Sequence, residues 1–249
     1  MNHLSRPKLS VLVALVSGVA LLTATGCAAW RVGQAAELAR RSEPWQQFPS
    51  GAALRMLVVG DSTAVGTGAT AADRSLAGLL GRSHPRLLIE NRAKDGANWA
   101  DVARQLEGSE RFDIVLVQAG GNDVIRLTDT DTLRSIVQRT VDLARDRADT
   151  VLLMPAGNVG NAPFFYPPLS WLMTHRSRQL QSIVADAAAR SGAIHVKLFH
   201  ERESDPFVID KSLNASDGLH PSDSGYRAWL EELTKQAALS ERLKPAQGQ

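Results

Sequence analysis

Five short apolar segments alternate with five helical segments from residue 54 onward, and this alternation limits the fold more than any other feature of the chain. The apolar segments predict strands at 54–61, 86–93, 112–123, 150–157 and 193–199. The segment 54–61 contains a short continuous apolar run, as in strands that are buried on both faces. Helical segments follow at 73–84, 98–108, 131–148, 170–191 and 221–243. Strands that alternate with helices predict one parallel sheet with helices on both faces.

The residues directly after the predicted strands are the first candidates for a site, because parallel sheets bind ligands beyond the carboxyl ends of their strands. The first strand ends in Gly60, Asp61 and Ser62. A serine hydroxyl becomes a nucleophile when a base removes its proton and an acid orients that base. Asp217 and His220 lie three residues apart in a predicted turn before the last helix. This spacing allows their side chains to bond, so Ser62, His220 and Asp217 form a candidate catalytic triad.

Two further strand ends offer donors for an oxyanion, which an acyl-transfer reaction develops on its way to the tetrahedral intermediate. Gly96 follows the second strand, and its main-chain N–H can approach a substrate closely because glycine has no side chain. Asn122 follows the third strand and carries a side-chain amide. Asp61 and Asp123, which stand beside these residues, are expected to bond to nearby main-chain groups in turns.

A dinucleotide site is the competing interpretation of the first strand end. Gly66, Gly68 and Ala71 match the spacing G-x-G-x-x-[GA], and Glu90 follows about twenty residues later. That fingerprint requires its first glycine at the turn between strand and helix, where the helix N-terminus meets the pyrophosphate. Gly66 lies six residues beyond Gly60. The hydrolase interpretation is therefore favoured.

The same four segments resemble the conserved blocks of the GDSL, or SGNH, hydrolases. GDST at 60–63 is similar to the block that carries the nucleophile, and DGLH at 217–220 is similar to the block that carries the acid and the base. NRAKDG at 91–96 is similar to the block with the oxyanion glycine, and GGND at 120–123 is similar to the block with the oxyanion asparagine. Thr63 stands where the family usually has leucine. The resemblance implies a flavodoxin-like three-layer α/β/α sandwich with a five-stranded parallel sheet. It also implies ester hydrolysis by Ser62, Asp217, His220, Gly96 and Asn122 without metal or cofactor.

An aromatic segment at 163–173 follows the fourth strand, on the side where such a site would open. Phe164, Phe165, Tyr166 and Trp171 are expected either to line an acyl pocket or lid, or to pack the start of the next helix. His195 and His200 are five residues apart, within and just after the fifth predicted strand. Strand alternation sends residues five apart to opposite faces, so they are interpreted as structural.

Charge and cysteine content exclude several classes of partner. Beyond Cys27 the 26 acidic residues are balanced by 26 basic ones, since Arg6 and Lys8 precede it. A balanced charge gives no support to nucleic-acid binding, which favours a clustered basic surface. The single cysteine excludes an internal disulfide and a CxxC metal site.

Residues 1–30 are predicted to direct export. Arg6 and Lys8 precede an uncharged run at 9–30, which is the layout of a secretory signal. LTATGC at 22–27 resembles the bacterial lipobox, which implies lipidation of Cys27. An uncleaved anchor stays open, because about 20 apolar residues can span a bilayer, and so does cleavage after Ala29. All three predict a catalytic domain outside the cytoplasm.

The predicted organisation is therefore a targeting segment at 1–30, a linker or stalk at 31–53 and a hydrolase domain at 54–249. The predicted function is an exported, membrane-attached serine esterase of the cell envelope, which acts on a small-molecule, glycan or lipid ester. An O-deacetylase of envelope glycans and a non-catalytic binding protein on a hydrolase fold are the alternatives.

Overall fold

A computed structural model describes residues 30–243, and it contains one parallel sheet of five strands. The strands are β1 (Leu54–Gly60), β2 (Leu87–Asn91), β3 (Ile114–Ala119), β4 (Thr150–Pro155) and β5 (Ile194–His195). Their order in the sheet is β2-β1-β3-β4-β5, and every neighbouring pair is parallel. This is the flavodoxin-like order, in which the strand order reverses beside β1 and leaves a crevice at the carboxyl ends of β1 and β3.

Helices connect and flank the strands. They are α1 (30–41), α2 (Ser62–Val65), α3 (Leu76–Ser83), α4 (Trp99–Gln105), α5 (Gly121–Ile125), α6 (Thr130–Arg147), α7 (Leu169–Ser191), α8 (Pro206–Ile209), α9 (Asp223–Gln236) and α10 (Leu239–Arg242). Within residues 30–243, none of these helices is both long enough and apolar enough to cross a bilayer.

Two apolar cores cover the two faces of the sheet. Alternate side chains of β1, such as Leu57 and Val59, pack with helices α4, α6 and α7 on one face. The intervening side chains, such as Met56 and Val58, pack with α3 and α9 on the other face. The strands are buried on both sides because each face is covered by helices. The predicted three-layer α/β/α sandwich with a five-stranded parallel sheet is confirmed.

The fifth strand is much shorter than the predicted segment 193–199. Only Ile194 and His195 belong to β5, and the Val196 N–H still donates to the Leu153 carbonyl at 2.8 Å. At Lys197 the side chain of Gln236 replaces a strand partner. It accepts from the Lys197 N–H at 2.8 Å and donates to the Lys197 carbonyl at 3.0 Å. The chain can therefore leave the sheet without losing these hydrogen bonds.

The predicted C-terminal helix 221–243 is interrupted. Helix α9 ends at Gln236, and Ala238 has a φ of 46°, in the left-handed region, before α10 begins at Leu239. Leu239 and Leu243 are both buried in the core beneath α3 and α9. The free energy gained by burying these two side chains offsets the cost of the left-handed conformation at Ala238. No glycine or proline in this segment predicts the interruption.

Part of the predicted linker 31–53 packs against the sheet. Gln47 exchanges main-chain hydrogen bonds with Ile89 of β2 at 2.9 and 2.8 Å, and Trp45 packs on the adjoining core. This short antiparallel bridge covers the free edge of β2, which would otherwise expose unpaired main-chain groups. Residues 1–29, which include Cys27 and its predicted lipidation, lie outside the described residues.

Candidate active site

The β1–α2 turn presents Ser62 at the carboxyl edge of the sheet. Gly60 allows this turn because a Cβ atom there would lie 1.9 Å from the Gln118 carbonyl oxygen. The buried Gln105 side chain accepts from the Gly60 N–H at 2.7 Å and donates to the Gly60 carbonyl at 2.9 Å. Ser62 is thus the first residue of α2, directly after a strand end that is held on both polar groups.

The Ser62 hydroxyl is hydrogen-bonded to the histidine predicted as its base. Ser62 Oγ lies 2.8 Å from His220 Nε2, and His220 Nδ1 lies 2.5 Å from Asp217 Oδ2. A carboxylate only accepts hydrogen bonds, so His220 carries its proton on Nδ1 and leaves Nε2 free to accept from Ser62. This is the arrangement that lets an imidazole remove a serine proton.

Asp217 is held as a carboxylate. Burial alone would raise the pKa of Asp217. The pKa nevertheless lies below its ordinary value, because Asp217 accepts hydrogen bonds from the His220 side chain and from the N–H groups of Leu219 and His220, and because a protonated imidazole would attract its charge. Those N–H groups donate to Asp217 Oδ1 at 2.9 and 3.1 Å. Asp217 therefore stays ionised at neutral pH and can orient and stabilise the imidazole.

The predicted oxyanion donors line the same cleft as Ser62 and His220. Asn122 is the second residue of the short helix α5 beyond β3, and its Nδ2 donates to the Ala97 carbonyl at 3.0 Å, which leaves its second proton available. The Arg126 guanidinium donates to the Gly96 carbonyl at 2.9 Å. Among residues 30–243 the N–H groups of Ser62 and Gly96 find no acceptor. The structure brings all five predicted site residues together around this cleft.

The glycines of the dinucleotide alternative have other roles. Gly66 has a φ of 103° and ends α2, so it follows the helix that the fingerprint would require it to precede. Gly68 packs against the main chain and side chain at His220 and Pro221. The geometry of a dinucleotide fingerprint is therefore absent from this turn.

Two buried aspartates stand behind the nucleophile and the oxyanion donors. Asp61 caps α2, since its Oδ1 accepts from the Thr63 N–H at 2.9 Å, as expected for a turn residue. Burial raises the pKa of Asp61 to about 6, against the lowering effect of the Thr63 hydrogen bonds. Asp123 instead accepts at 3.0 Å from the N–H of Trp99, which lies 24 residues away in the sequence. Burial likewise raises the pKa of Asp123.

A mainly apolar cleft of about 240 Å³ opens beside Ser62. Its apolar lining comes from several different segments, namely Ala39, Ile125, Ala156, Val159, Ala162, Leu198, Phe207, Leu219, Pro221 and Trp229. The cleft lining does not include Phe164, Phe165, Tyr166 or Trp171, so the acyl-pocket alternative for this segment is wrong. Phe165 instead packs on the core under α7, while Tyr166 and Trp171 are 64% and 69% exposed.

The two histidines interpreted as structural, His195 and His200, do not line the cleft. His195 Nε2 lies 3.1 Å from Gln181 Oε1, and the His200 carbonyl accepts from Asn158 at 3.1 Å. Over residues 30–243, no group of three or more His, Cys, Asp or Glu side chains is arranged to hold a metal ion.

Several residues that shape the site carry no motif in the sequence. Gln105 lies within a predicted amphipathic helix, and Arg126 lies just beyond GGND. Phe207 and Trp229 are distant in sequence but pack together with ring centroids 5.9 Å apart. Of the residues that position the catalytic loop, Gly68 belonged to a recognised sequence pattern, but that pattern was the dinucleotide fingerprint.

Comparisons with known proteins agree with this geometry. The model of the GDSL-like lipase/acylhydrolase family matches residues 58–228, which include all five predicted site residues. No curated protein is a significant match to the sequence. Among solved structures, a lipolytic G-D-S-L family protein from Veillonella parvula is 16% identical with a TM-score of 0.58, over 73% of this chain and 96% of that chain.

Two other solved structures are similar to the same extent. TesA is 21% identical with a TM-score of 0.58, over 77% of this chain and 98% of that chain. A variant of Axe2, an acetyl xylan esterase from Geobacillus stearothermophilus, is 20% identical with a TM-score of 0.55, over 75% of this chain and 95% of that chain. At these identities the likenesses concern the fold, whereas the family model matches the sequence itself. The chain belongs to the GDSL-like lipase/acylhydrolase family and is a hydrolase.

Proposed function

We propose that this hydrolase cleaves carboxylic esters through an acyl-enzyme on Ser62. The observation that carries the proposal is the hydrogen-bonded series from Ser62 through His220 to Asp217 in the wall of an apolar cleft. Asp217 bonds to Nδ1 of His220, so Nε2 of that ring faces the Ser62 hydroxyl, which is the arrangement that nucleophilic attack requires.

The reaction follows from these positions. Ser62 Oγ attacks the ester carbonyl carbon as its proton passes to His220 Nε2. The N–H groups of Ser62 and Gly96 and the Asn122 amide donate to the resulting oxyanion. His220 then gives the proton to the alkoxide as the carbon–oxygen ester bond breaks. A water molecule, deprotonated by His220, releases the acyl group and restores Ser62.

The cleft supports a small or medium acyl group as the part of the substrate next to Ser62. Its volume of about 240 Å³ is below the range of about 300–1,000 Å³ of sites for drug-sized ligands, and its lining is mostly apolar. Apolar walls favour an acyl chain because each methylene removed from water contributes about 0.8 kcal/mol.

An O-deacetylase of envelope glycans is less well supported, because the polar side chains of the cleft already have partners. Asn161 donates to Asp205 at 2.8 Å. Asn158 accepts from Thr174 at 2.9 Å and donates to the His200 carbonyl at 3.1 Å. Since these groups bond to one another, they offer little to sugar hydroxyls.

We also propose that the enzyme is exported and held at a membrane by its N-terminal segment. The support is the basic start at Arg6 and Lys8, the uncharged run 9–30, and the lipobox-like stretch that ends at Cys27. Lipidation at Cys27 and an uncleaved anchor both place the catalytic domain on the outer side of that membrane.

Labelling by a fluorophosphonate probe tests the catalytic proposal. The probe forms a covalent bond only with an activated serine, so the parent protein should be labelled and Ser62→Ala should not. Ser224→Ala, which changes a half-buried serine on α9 whose hydroxyl accepts from Arg227, is the matched control and should keep full labelling. Labelling that survives in Ser62→Ala would assign the nucleophile to another serine. Labelling that is missing from the parent would favour a non-catalytic binding protein.

A further inference from the structure

An exposed apolar surface adjoins the cleft and has no role in the proposed chemistry. We call it the aromatic patch, and it consists of Trp30, Tyr166, Leu169, Trp171 and Leu172. Trp171, Tyr166 and Trp30 are 69%, 64% and 61% exposed. Single exposed apolar side chains are ordinary, but a cluster of large ones marks a surface that contacts another apolar phase.

Contacts between α1 and the segment before α7 join the patch into one surface. Arg31 donates to the Tyr166 hydroxyl at 2.6 Å and to the Pro163 carbonyl, and its guanidinium lies 4.9 Å from the Tyr166 ring centroid. These contacts hold the start of α1, and Trp30 with it, beside the start of α7. The patch is therefore part of the folded domain.

The patch also lies at the catalytic edge of the sheet. The Phe164 N–H donates at 2.9 Å to the carbonyl of Gly218, which belongs to the loop of Asp217 and His220. Helix α1 continues from the patch to Ala39, which lines the cleft. A second contact links α7 to the cleft. Arg176, one turn beyond Leu172, donates to the Thr128 carbonyl. Thr128 follows by three residues Ile125, which lines the cleft. The patch and the opening of the cleft thus adjoin.

The position of Trp30 identifies what covers this surface. Trp30 is the last residue of the uncharged run 9–30, and Cys27 precedes it by three residues. Three residues span at most about 10–11 Å even when fully extended. A chain anchored through lipid at Cys27, or through the run itself, therefore emerges from the bilayer within that distance of the patch. Trp and Tyr are the side chains that favour the boundary between lipid and water.

We propose that the aromatic patch rests on the bilayer surface and turns the cleft toward it, so that the substrate is an ester presented by that lipid surface. The proposal rests on the membrane attachment proposed above. An acyl chain can then pass from the lipid phase into the apolar cleft past apolar side chains and with little exposure to water.

The test compares one enzyme on two substrates. The full chain is incorporated into vesicles of phosphatidylcholine and phosphatidylglycerol that contain a medium-chain diacylglycerol, and its rate on soluble p-nitrophenyl butyrate is measured in parallel. Trp171→Glu should lower the rate on the vesicle-borne ester by about tenfold, because a charged side chain opposes insertion at the lipid surface. The soluble ester should be hydrolysed within about twofold of the parent rate, because Trp171 does not line the cleft.

Phe48→Glu is the matched control. Phe48 is an aromatic residue of similar exposure, 65%, next to the Gln47 bridge on the edge of β2 and outside the patch. It should leave both rates near those of the parent. As an independent measurement, lipids brominated near the headgroup should quench the fluorescence of the parent more than that of Trp171→Phe.

The outcomes separate this inference from the proposals beneath it. A chain that floats with the vesicles but shows no quenching of Trp171, or keeps its vesicle rate in Trp171→Glu, overturns the orientation and leaves the attachment intact. A chain that hydrolyses the soluble ester but does not float with vesicles contradicts the attachment, and this inference with it. A chain that floats but hydrolyses neither ester contradicts the catalytic proposal and removes the lipid-ester substrate.

Discussion

Gly68 lies directly against the catalytic histidine loop, since a Cβ atom at Gly68 would be 3.0 Å from the Cβ of His220 and 2.4 Å from the Pro221 carbonyl oxygen. Gly68 also has a φ of 97°, in the left-handed region. Absence of a side chain at this position therefore lets the loop between α2 and α3 approach the acid–base loop and hold His220 within reach of Ser62.

Gly68→Ala should lower kcat by about tenfold to a hundredfold, because displacement of a catalytic group by about 1 Å costs on that order. The matched control is Gly192→Ala. Gly192 has a φ of 70° but nothing within 4 Å of an added Cβ atom, so its substitution brings backbone strain without a clash. Both variants should be less stable, and only Gly68→Ala should lose activity. Equal kcat values in the two variants, measured on a soluble ester, would show that Gly68 does not position His220.

Asn122→Ala should lower kcat by about 10²–10³ with little change in KM, because an oxyanion donor acts mainly in the transition state. Part of the loss comes from the hydrogen bond to the Ala97 carbonyl, which holds the loop that carries Gly96. Steady-state kinetics on folded protein, with circular dichroism as the control, measure the effect. The variant should still react slowly with a fluorophosphonate, whereas a near-parent kcat would remove Asn122 from the oxyanion site.

Asp61→Asn should change the pH dependence of stability. The pKa of Asp61 is raised by burial to about 6 in the folded protein, above the value of 3.8 for an exposed carboxyl. A raised pKa means that the folded state takes up a proton, so stability is fully present below pH 3.8 and is lost as pH rises to about 6. Asn cannot ionise, so this loss should disappear in the variant.

The free energy of unfolding of Asp61→Asn, relative to the parent, should therefore increase by about 2–3 kcal/mol between pH 4 and pH 8. Urea unfolding at several pH values measures this trend. Asp149→Asn, at a side chain that is 93% exposed, is the control and should show no comparable slope. A difference that stays constant with pH would mean that Asp61 is not buried as a raised-pKa carboxyl.

The acyl-chain preference should follow the lining of the cleft. On p-nitrophenyl esters of graded length, kcat/KM should rise from acetyl to a short or medium chain, with up to about 0.8 kcal/mol for each buried methylene, and then fall. Trp229→Ala enlarges the cleft and should move the optimum to longer chains. Trp171→Ala, outside the cleft, should not move it. A parent profile that peaks at acetyl would favour the deacetylase alternative.

Cys27→Ser should distinguish the forms of membrane attachment. If Cys27 is lipidated, the variant should lack the mass of the acyl chains and keep its N-terminal segment uncleaved, because the thiol of Cys27 is the group that lipidation and processing require. Mass spectrometry and fractionation of the expressed full chain measure both effects. An uncleaved variant of unchanged mass that stays in the membrane would establish the run 9–30 as the anchor, and a parent cleaved after Ala29 would establish simple secretion.

The sequence by itself determined the layer structure and the family. Continuous apolar runs can be buried only between two layers of helices, so the alternation that begins at residue 54 already required a parallel sandwich. The nucleophile and the oxyanion donors could be found for a related reason. Carboxyl ends of parallel strands meet at one edge, so Ser62, Gly96 and Asn122 had to lie near one another. The Asp217–His220 pair was visible because its two members are three residues apart.

Only the tertiary structure decided the parts that depend on contacts between distant segments. Ala39, Phe207 and Trp229 meet in the cleft although nothing in their local sequence relates them. Of the aromatic side chains considered for that place, Tyr166 and Trp171 face solvent and Phe165 packs on the core. The end of β5 depends on the side chain of Gln236, and the pKa of Asp61 depends on how deeply the finished fold buries it. Periodicity along a chain records which face of an element is buried. It does not show which side chain from a distant segment covers that face, because that choice depends on how the folded elements pack together.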